Sequence, residues 1–488
     1  MALTVRDKVA HLYRRFSFGG TLAEIEAGTS AGVDATINKL IDFESTPANF
    51  TIHPFEFAFN PNGMEAEPAT YRFRLWWADA MAMTNRPLQE KLALFWHSHF
   101  AVSDKKVENG PMMLDYVQVL RNSGNGSFGE LLKSIAKLPA MMRYLDMERA
   151  FRGHPNENFA REVMELFTMG IGNYSEKDVQ EVSRALTGWG MLDTYWESGK
   201  TNDERLLTLY RDKRSASTFC YMPAMRDNEP KTILGQTKDF TGDEVLDLLA
   251  SRPETARHIC KKMWEFFAYE DPEDAVVSRL ATVFSNSKGK IKQVLFAIAK
   301  SPEFYSDKCY LKGYKSPADY IVGNIRQMNL GSDTLAKRPS GSTPLTPIPK
   351  VFLDLGISIT VYMFQAGLDL CNPNDVNGWK WGKEWINSAT MSARMQYNGV
   401  MMWDKTGPSV APRTTQAMMA AGNPNTPEEA SARFKQIFDL NLSPKSDEML
   451  LAVFKTHTAK CYENLDNWAG ILHYCLKMLS ACPDMHVC

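Results

Sequence analysis

Two short segments hold the side chains best suited to chemistry. Phe95-Trp96-His97-Ser98-His99-Phe100 places two imidazoles two positions apart. Asn156-Glu157-Asn158-Phe159-Ala160-Arg161-Glu162-Val163-Met164-Glu165 gathers three carboxylates, two amides and a guanidinium. A neutral imidazole is a common metal ligand and the side chain that titrates nearest pH 7. Carboxylates can serve as acid and base on a glycosidic bond or bind a hard cation through oxygen, and an arginine beside them can clamp a sulfate or carboxylate. The catalytic candidates are therefore Glu157, Glu162, Glu165, His97 and His99. Asn156, Asn158 and Arg161 are candidates for substrate binding. His97, His99 and Glu162 are the candidates for holding a divalent metal ion.

Geometry qualifies each candidate. Residues two apart on a regular helix point about 200° apart, so His97 and His99 can share a metal only if the helix ends near Trp96 and the chain turns extended. Otherwise one histidine packs in the core beside Phe95 and Phe100. In the second segment Phe159, Val163, Leu166 and Phe167 form an apolar stripe, with Asn158, Arg161, Glu162 and Glu165 on the other side. An Arg161–Glu165 pair at i,i+4 and Glu157 at the positive helix end also suit an ordinary solvated face. The Asn-Glu-Asn start is what polar recognition at a helix N-terminus would use.

Other positions carry two readings each. His11, with Arg14 and Arg15 on the next turn, faces the same site or bonds across helices. Arg257-His258 reads as an interhelical polar contact. Asp227 and Lys231 flank a turn, where a catalytic carboxylate and a plain Asx-turn fit equally. Trp379 and Trp381, in Asn377-Gly378-Trp379-Lys380-Trp381, could form a platform on which sugar rings stack and are added to the substrate-binding candidates; Trp189 and Trp385 are expected to be buried. The chain contains no GxSxG, P-loop, GxGxxG, HExxH or zinc-finger spacing.

The elements that must position these residues are helices. Thr21-x-x-Glu24, Ser127-x-x-Glu130 and Thr241-x-x-Glu244 are capping boxes, each ahead of apolar residues at helical spacing. Pro87 starts a helix through Leu92, Phe95 and Trp96, Gly170 and Gly172 close the helix containing Phe159 to Phe167, and Ser175 caps the next. Ile357–Met363 alternates β-branched residues and reads as one short hairpin or edge strand. Ser332–Pro349 and Asn398–Pro427 read as long loops. The expected fold is all-α: a single large orthogonal bundle with long loops and at most a minor β-hairpin. Residues 1–397 would form the body, 398–427 a loop, and 428–488 a C-terminal helical segment packed on it.

Composition bounds the function. The chain has 488 residues, 44% hydrophobic and 23% charged, with a formal net charge of −2. That is ordinary for a folded protein and offers no global basic field for nucleic acid. No apolar run approaches the roughly 20 residues of a membrane span. The N-terminus lacks an apolar signal-peptide core, and Arg14-Arg15-Phe16 is not followed by the apolar stretch of a twin-arginine signal. The protein is cytoplasmic if Met1 is native, unless a leader has been removed. The cysteines, none in a CxxC pair, read mainly as small buried residues, with a local disulfide or reactive thiol near the C-terminus as the alternative.

Several segments together are similar to one bacterial family, catalogued as domain of unknown function 1800. They are Ala10-His11-Leu12-Tyr13-Arg14-Arg15-Phe16-Ser17-Phe18-Gly19, Arg86-Pro87-Leu88-Gln89-Glu90-Lys91 leading into Phe95–Phe100, Asn156–Gly170, Asp178–Trp189, Lys231-Thr232-Ile233-Leu234-Gly235, Thr255-Ala256-Arg257-His258, Lys315-Ser316-Pro317 and Asn377-Gly378-Trp379. Order and spacing match from about Val9 to Tyr397. The resemblance implies an exported, periplasmic or secreted protein, whose genomic neighbour is a sulfatase-like protein and whose ligand is a glycan, sulfated glycans included. The family tends to carry His-Asp before Lys-Thr-x-Leu-Gly, where this chain has Arg226-Asp227, so no metal or proton-carrying role transfers to position 226. The function expected is an envelope or extracellular hydrolase of a polysaccharide or other polymer, using carboxylate and histidine acid–base chemistry with a divalent metal ion as the cofactor to test for. The alternative is a non-catalytic helical scaffold or binding protein that partners a sulfatase-like protein.

Overall fold

A computed structural model describes all residues except 1, 59–68, 194–216, 337, 339, 342–347, 402–417, 419–423 and 462–465. Helices dominate it, joined by two small antiparallel hairpins. At Thr21 and Thr241 the hydroxyl accepts from the amide three residues on, and the Glu side chain returns to the cap amide, as the spacing requires. Ser175 with Asp178, Thr4 with Asp7 and Ser316 with Asp319 do the same. Ser127 does not: its hydroxyl makes no cap bond. The start of that helix is held instead by a distant segment, where the Phe128 amide donates to the Gly289 carbonyl at 2.9 Å and the Ile291 amide to Gly126 at 2.9 Å.

The strands lie elsewhere than expected. Trp189–Asp193 pairs with Ser217–Tyr221, and Lys231–Ile233 with Gln236–Lys238. The second hairpin turns on Leu234 and Gly235, with φ of 49° and 80°, the two positive values of a tight type I′ turn. Ile357–Met363 is not a strand. It belongs to the helix Lys350–Gln365. Its Leu355, Gly356, Ile359 and Met363 are buried at helical spacing, and Gly356 lets this helix approach Leu75 of the helix Ala69–Met83, where a Cβ would come within 2.9 Å. Packing overrides the β preference of the local residues. Most of the two expected loops lies outside the described residues, although Ser332–Ala336 falls within the helix Leu330–Ala336.

At the centre lies the helix Pro87–His99, buried on every side except at Gln89. Its polar side chains are met from all directions. Glu90, fully buried, accepts from Arg121 Nε at 2.8 Å, Arg121 Nη2 at 2.7 Å and Trp77 Nε1 at 3.0 Å. Lys91 donates to the Ser17 carbonyl at 3.0 Å and to Asp319. Residues after 427 also return to the body. Arg14 Nε meets Asp439 at 2.7 Å, and His486 stacks on Tyr320 at 5.1 Å. Among the described residues no helix is long and apolar enough to cross a membrane.

Removing one partner from a buried ion pair leaves an uncompensated charge, which costs roughly 3–5 kcal/mol. Glu90→Ala is therefore expected to destabilise the fold by about 3 kcal/mol or more, and denaturant titration should show it; a loss below about 1 kcal/mol would contradict this account.

Candidate functional site

The histidine end of the first segment meets the turn that follows the second, through the backbone. The helix Glu157–Glu162 runs on into a wide π-helical turn, Val163–Thr168. Such a turn leaves carbonyls without their usual partners. Thr168 Oγ1 donates to the Val163 carbonyl at 2.7 Å. His99 Nε2 reaches the Phe167 carbonyl at 3.2 Å, and His258 Nε2 the Leu166 carbonyl at 3.3 Å. With Nε2–H as donor, both imidazoles are neutral caps on this turn. Burial is the main cause holding His258 down to about 4 and His99 well below its ordinary value, and the Lys262 ammonium adds to both.

His97 faces elsewhere. The helix continues through His99, so the two imidazoles diverge as a regular helix demands. His97 is boxed by Trp77, Tyr116 and Trp379, with centroids 5.7, 5.2 and 4.9 Å away. Among the described residues neither ring nitrogen has a hydrogen-bond partner, and burial lowers its pKa to about 4. Trp379 is thus core, not an open platform. Trp189 and Trp385 are buried as expected.

The polar residues of the acidic segment are half-buried to exposed. Asn156 is the helix cap, accepting from the Phe159 amide at 3.0 Å and donating to the Leu145 carbonyl at 2.8 Å. Glu157 and Asn158 are exposed. Arg161 pairs with Glu176 through two bonds of 2.7 and 2.6 Å, in place of the expected Glu165 partner. Glu165 accepts from the Tyr174 hydroxyl. Glu162 is half-buried, which together with the neighbouring Glu165 raises its pKa. Among the described residues no group of three or more His, Cys, Asp or Glu side chains is arranged to hold a metal ion, so His97, His99 and Glu162 are not gathered at one point.

The remaining candidates bond structurally. His11 Nε2 contacts the Phe304 carbonyl at 2.9 Å. Asp227 Oδ1 accepts from the Glu229 amide at 3.0 Å, the Asx-turn reading, and its carboxylate pairs with Arg184. Arg226 and the fully buried Lys231 both meet Asp239. Cys220, Cys260, Cys309, Cys371, Cys475, Cys482 and Cys488 are free thiols.

A cleft of about 160 Å³ opens beside Lys91 of the central helix. Arg15, Lys91, Glu265, Glu270, Lys312 and Trp381 line it; none of the five catalytic candidates does. Each wall has a cause. Arg15 Nε donates to the Phe267 carbonyl at 2.9 Å and Nη2 to Ala268, capping the negative end of the helix Pro253–Phe267. Trp381 is half-buried, its Nε1 donating to Ser98 Oγ at 3.2 Å and its ring set edge-on to Phe266 at 4.7 Å. Gly382 has φ of 68°, and a Cβ there would strike the Glu270 carboxylate. Glu265 is half-buried, and burial raises its pKa against the pull of Lys261. Glu270 is exposed. Sequence reasoning reached Trp381 but missed Glu265 and Glu270. Their five-residue spacing spans a helix end and matches no motif; the aromatic run between them was the available signal.

The fold and this cleft define an all-α protein with a small recess lined by charged side chains and an indole, and with no recognisable metal or nucleotide motif. The chain belongs to the family described as protein of unknown function (DUF1800), whose model matches residues 11–487. The match takes in the C-terminal segment as well. No curated protein and no solved structure matches the chain.

The neutral histidines make stability depend on pH. Unfolded histidine titrates near 6.5 and these titrate lower in the fold, so the unfolded chain binds more protons below 6.5. Their contribution is full above pH 6.5 and is lost as pH falls toward about 4. The melting temperature should fall across that window. His258→Gln, which keeps a donor for the Leu166 carbonyl, should reduce the slope by about one proton. Equal slopes for variant and wild type in calorimetry would refute this.

Proposed function

We propose that the chain is a saccharide-binding protein whose site is the Trp381 cleft. This is the non-catalytic alternative of the sequence reading, placed away from His97, His99 and Glu157–Glu165. The observation that carries it is the division of roles: the histidines cap backbone or pack among rings, the acidic segment lies on a solvated face, and one recess collects an indole, acids and cations. Sugars are recognised by such mixtures, an aromatic ring for the apolar side of the pyranose and rigid donors and acceptors for its hydroxyls. The charges largely cancel. Arg14 is paired with Asp439 and Lys91 with Asp319, leaving Arg15 and Lys312 against Glu265 and Glu270. A neutral or zwitterionic saccharide fits this balance better than a heavily sulfated polymer. An envelope setting and a sulfatase-like partner are part of this proposal on the strength of the family resemblance.

One observation favours a hydrolytic second reading at the same cleft. Burial favours the protonated form of Glu265 while Glu270 stands exposed, the split of environments that acid–base pairs use on glycosidic bonds.

Calorimetric titration against a panel of oligosaccharides, with a reducing-end assay in parallel, tests both. Trp381→Ala should weaken binding up to about ten-fold, in keeping with the roughly 0.5–1.5 kcal/mol that aromatic contacts contribute. Glu265→Gln should retain binding. Wild-type protein that binds no saccharide sinks the proposal. Hydrolysis by wild type that Glu265→Gln abolishes replaces it with the second reading.

A further inference from the structure

The acids and rings of the Trp381 cleft differ in how far they are already engaged. Glu265 lies 3.7 Å from Lys261, one helical turn back. Glu270, just past the end of the helix Pro253–Phe267, makes no hydrogen bond or ion pair among the described residues. Its carboxylate still has a fixed place. It lies against Gly382, where any Cβ would strike it. Gly382 follows Trp381 in the chain, so the unpaired acid stands beside the indole, and both line the cleft.

Two neighbouring rings of the cleft already receive cations. Lys91 Nζ lies over the Phe266 ring at 5.7 Å, and Lys308 Nζ over the Tyr269 ring at 4.2 Å. Aromatic faces attract cations, and indole does so most strongly. Trp381, set edge-on to Phe266 at 4.7 Å and tied to Ser98 through Nε1, has no cation over its ring among the described residues. The positive groups of the cleft are spent elsewhere. Arg14 has Asp439 and Lys91 has Asp319. Arg15 donates from Nε to the Phe267 carbonyl, from Nη1 to Cys488 Sγ and from Nη2 to the Ala268 carbonyl. Lys312 is exposed and unpaired among the described residues, which leaves it for an acceptor elsewhere on the ligand. What the cleft lacks is a cation between the indole and Glu270.

We propose that the cleft selects saccharides carrying a free, protonated amino group, held between the Glu270 carboxylate and the Trp381 indole. Glu270 is then the residue that sets specificity. An ammonium donates up to three hydrogen bonds and presents a cation to the ring; an acetylated nitrogen is neutral and does neither. The inference rests on the saccharide reading of this cleft and adds the substrate class to it.

The test is calorimetric titration of the whole chain with two probes, the β-1,4-linked glucosamine disaccharide and its N,N′-diacetyl counterpart. The free amine should bind about ten-fold tighter than the amide at pH 6, and the advantage should shrink as rising pH takes the proton from the ammonium. Glu270→Gln should abolish the preference. Glu157→Gln, an exposed acid outside the cleft, should preserve it. Equal affinity for the two sugars overturns the inference and spares the saccharide reading. So does a preference that survives in Glu270→Gln, or one that Glu157→Gln removes as well. If neither disaccharide binds, the inference fails alone when another oligosaccharide does bind, and together with the saccharide reading when none does.

Discussion

A helix with almost no side facing water imposes its needs on everything around it. Pro87–His99 carries Glu90, Lys91, His97, Ser98 and His99 into the interior. A buried polar group left unmatched costs about 1–3 kcal/mol, and a charge more. The neighbouring segments are placed where they can supply partners. Arg121 and Trp77 come to Glu90, Asp319 to Lys91, Trp379 and Trp381 to Ser98, and the Phe167 carbonyl to His99. The helix, the π-helical turn and the Trp381 segment are thereby locked in one frame.

That frame changes what the chemical-looking side chains can do. An imidazole that must donate to a helix-end carbonyl in a dry interior is neutral and already committed. His97, unpaired at both nitrogens among three rings, is tolerated because its uncharged form is an acceptable aromatic neighbour. On the far side of the π-helical turn, Arg161, Glu165 and Glu176 settle into exposed pairs, which contribute little individually. The same bonds that hold Ser98 to the tryptophans carry Trp381 to the rim of the cleft, so the recess is a by-product of satisfying the central helix.

Much of the architecture was legible in the chain. Capping boxes at Thr21 and Thr241, the Pro87 start and the Gly170 stop are local devices, and the structure obeys them. The membership of DUF1800 was carried by segments such as Phe95–Phe100 and Asn156–Gly170, and the family match runs over nearly the whole chain. The misreadings share a cause. Ser127 looked like a cap but is fastened by the Gly289 segment, and Ile357–Met363 looked like a strand but packs as a helix on Leu75. In each, a contact between residues far apart in sequence outweighed the local preference.

By itself, then, the sequence determined where helices with local caps begin, as at Thr21, Pro87 and Thr241, because hydrogen bonding and capping within a helix act over three or four residues. It also named side chains able to do chemistry, because that capacity belongs to residue type. Only the tertiary structure decided which of them are free to act. Burial and pairing depend on what arrives from elsewhere in the chain: Phe167 and Leu166 occupy His99 and His258, Glu176 occupies Arg161, and Glu265, Glu270 and Trp381 meet at one recess although no motif links them.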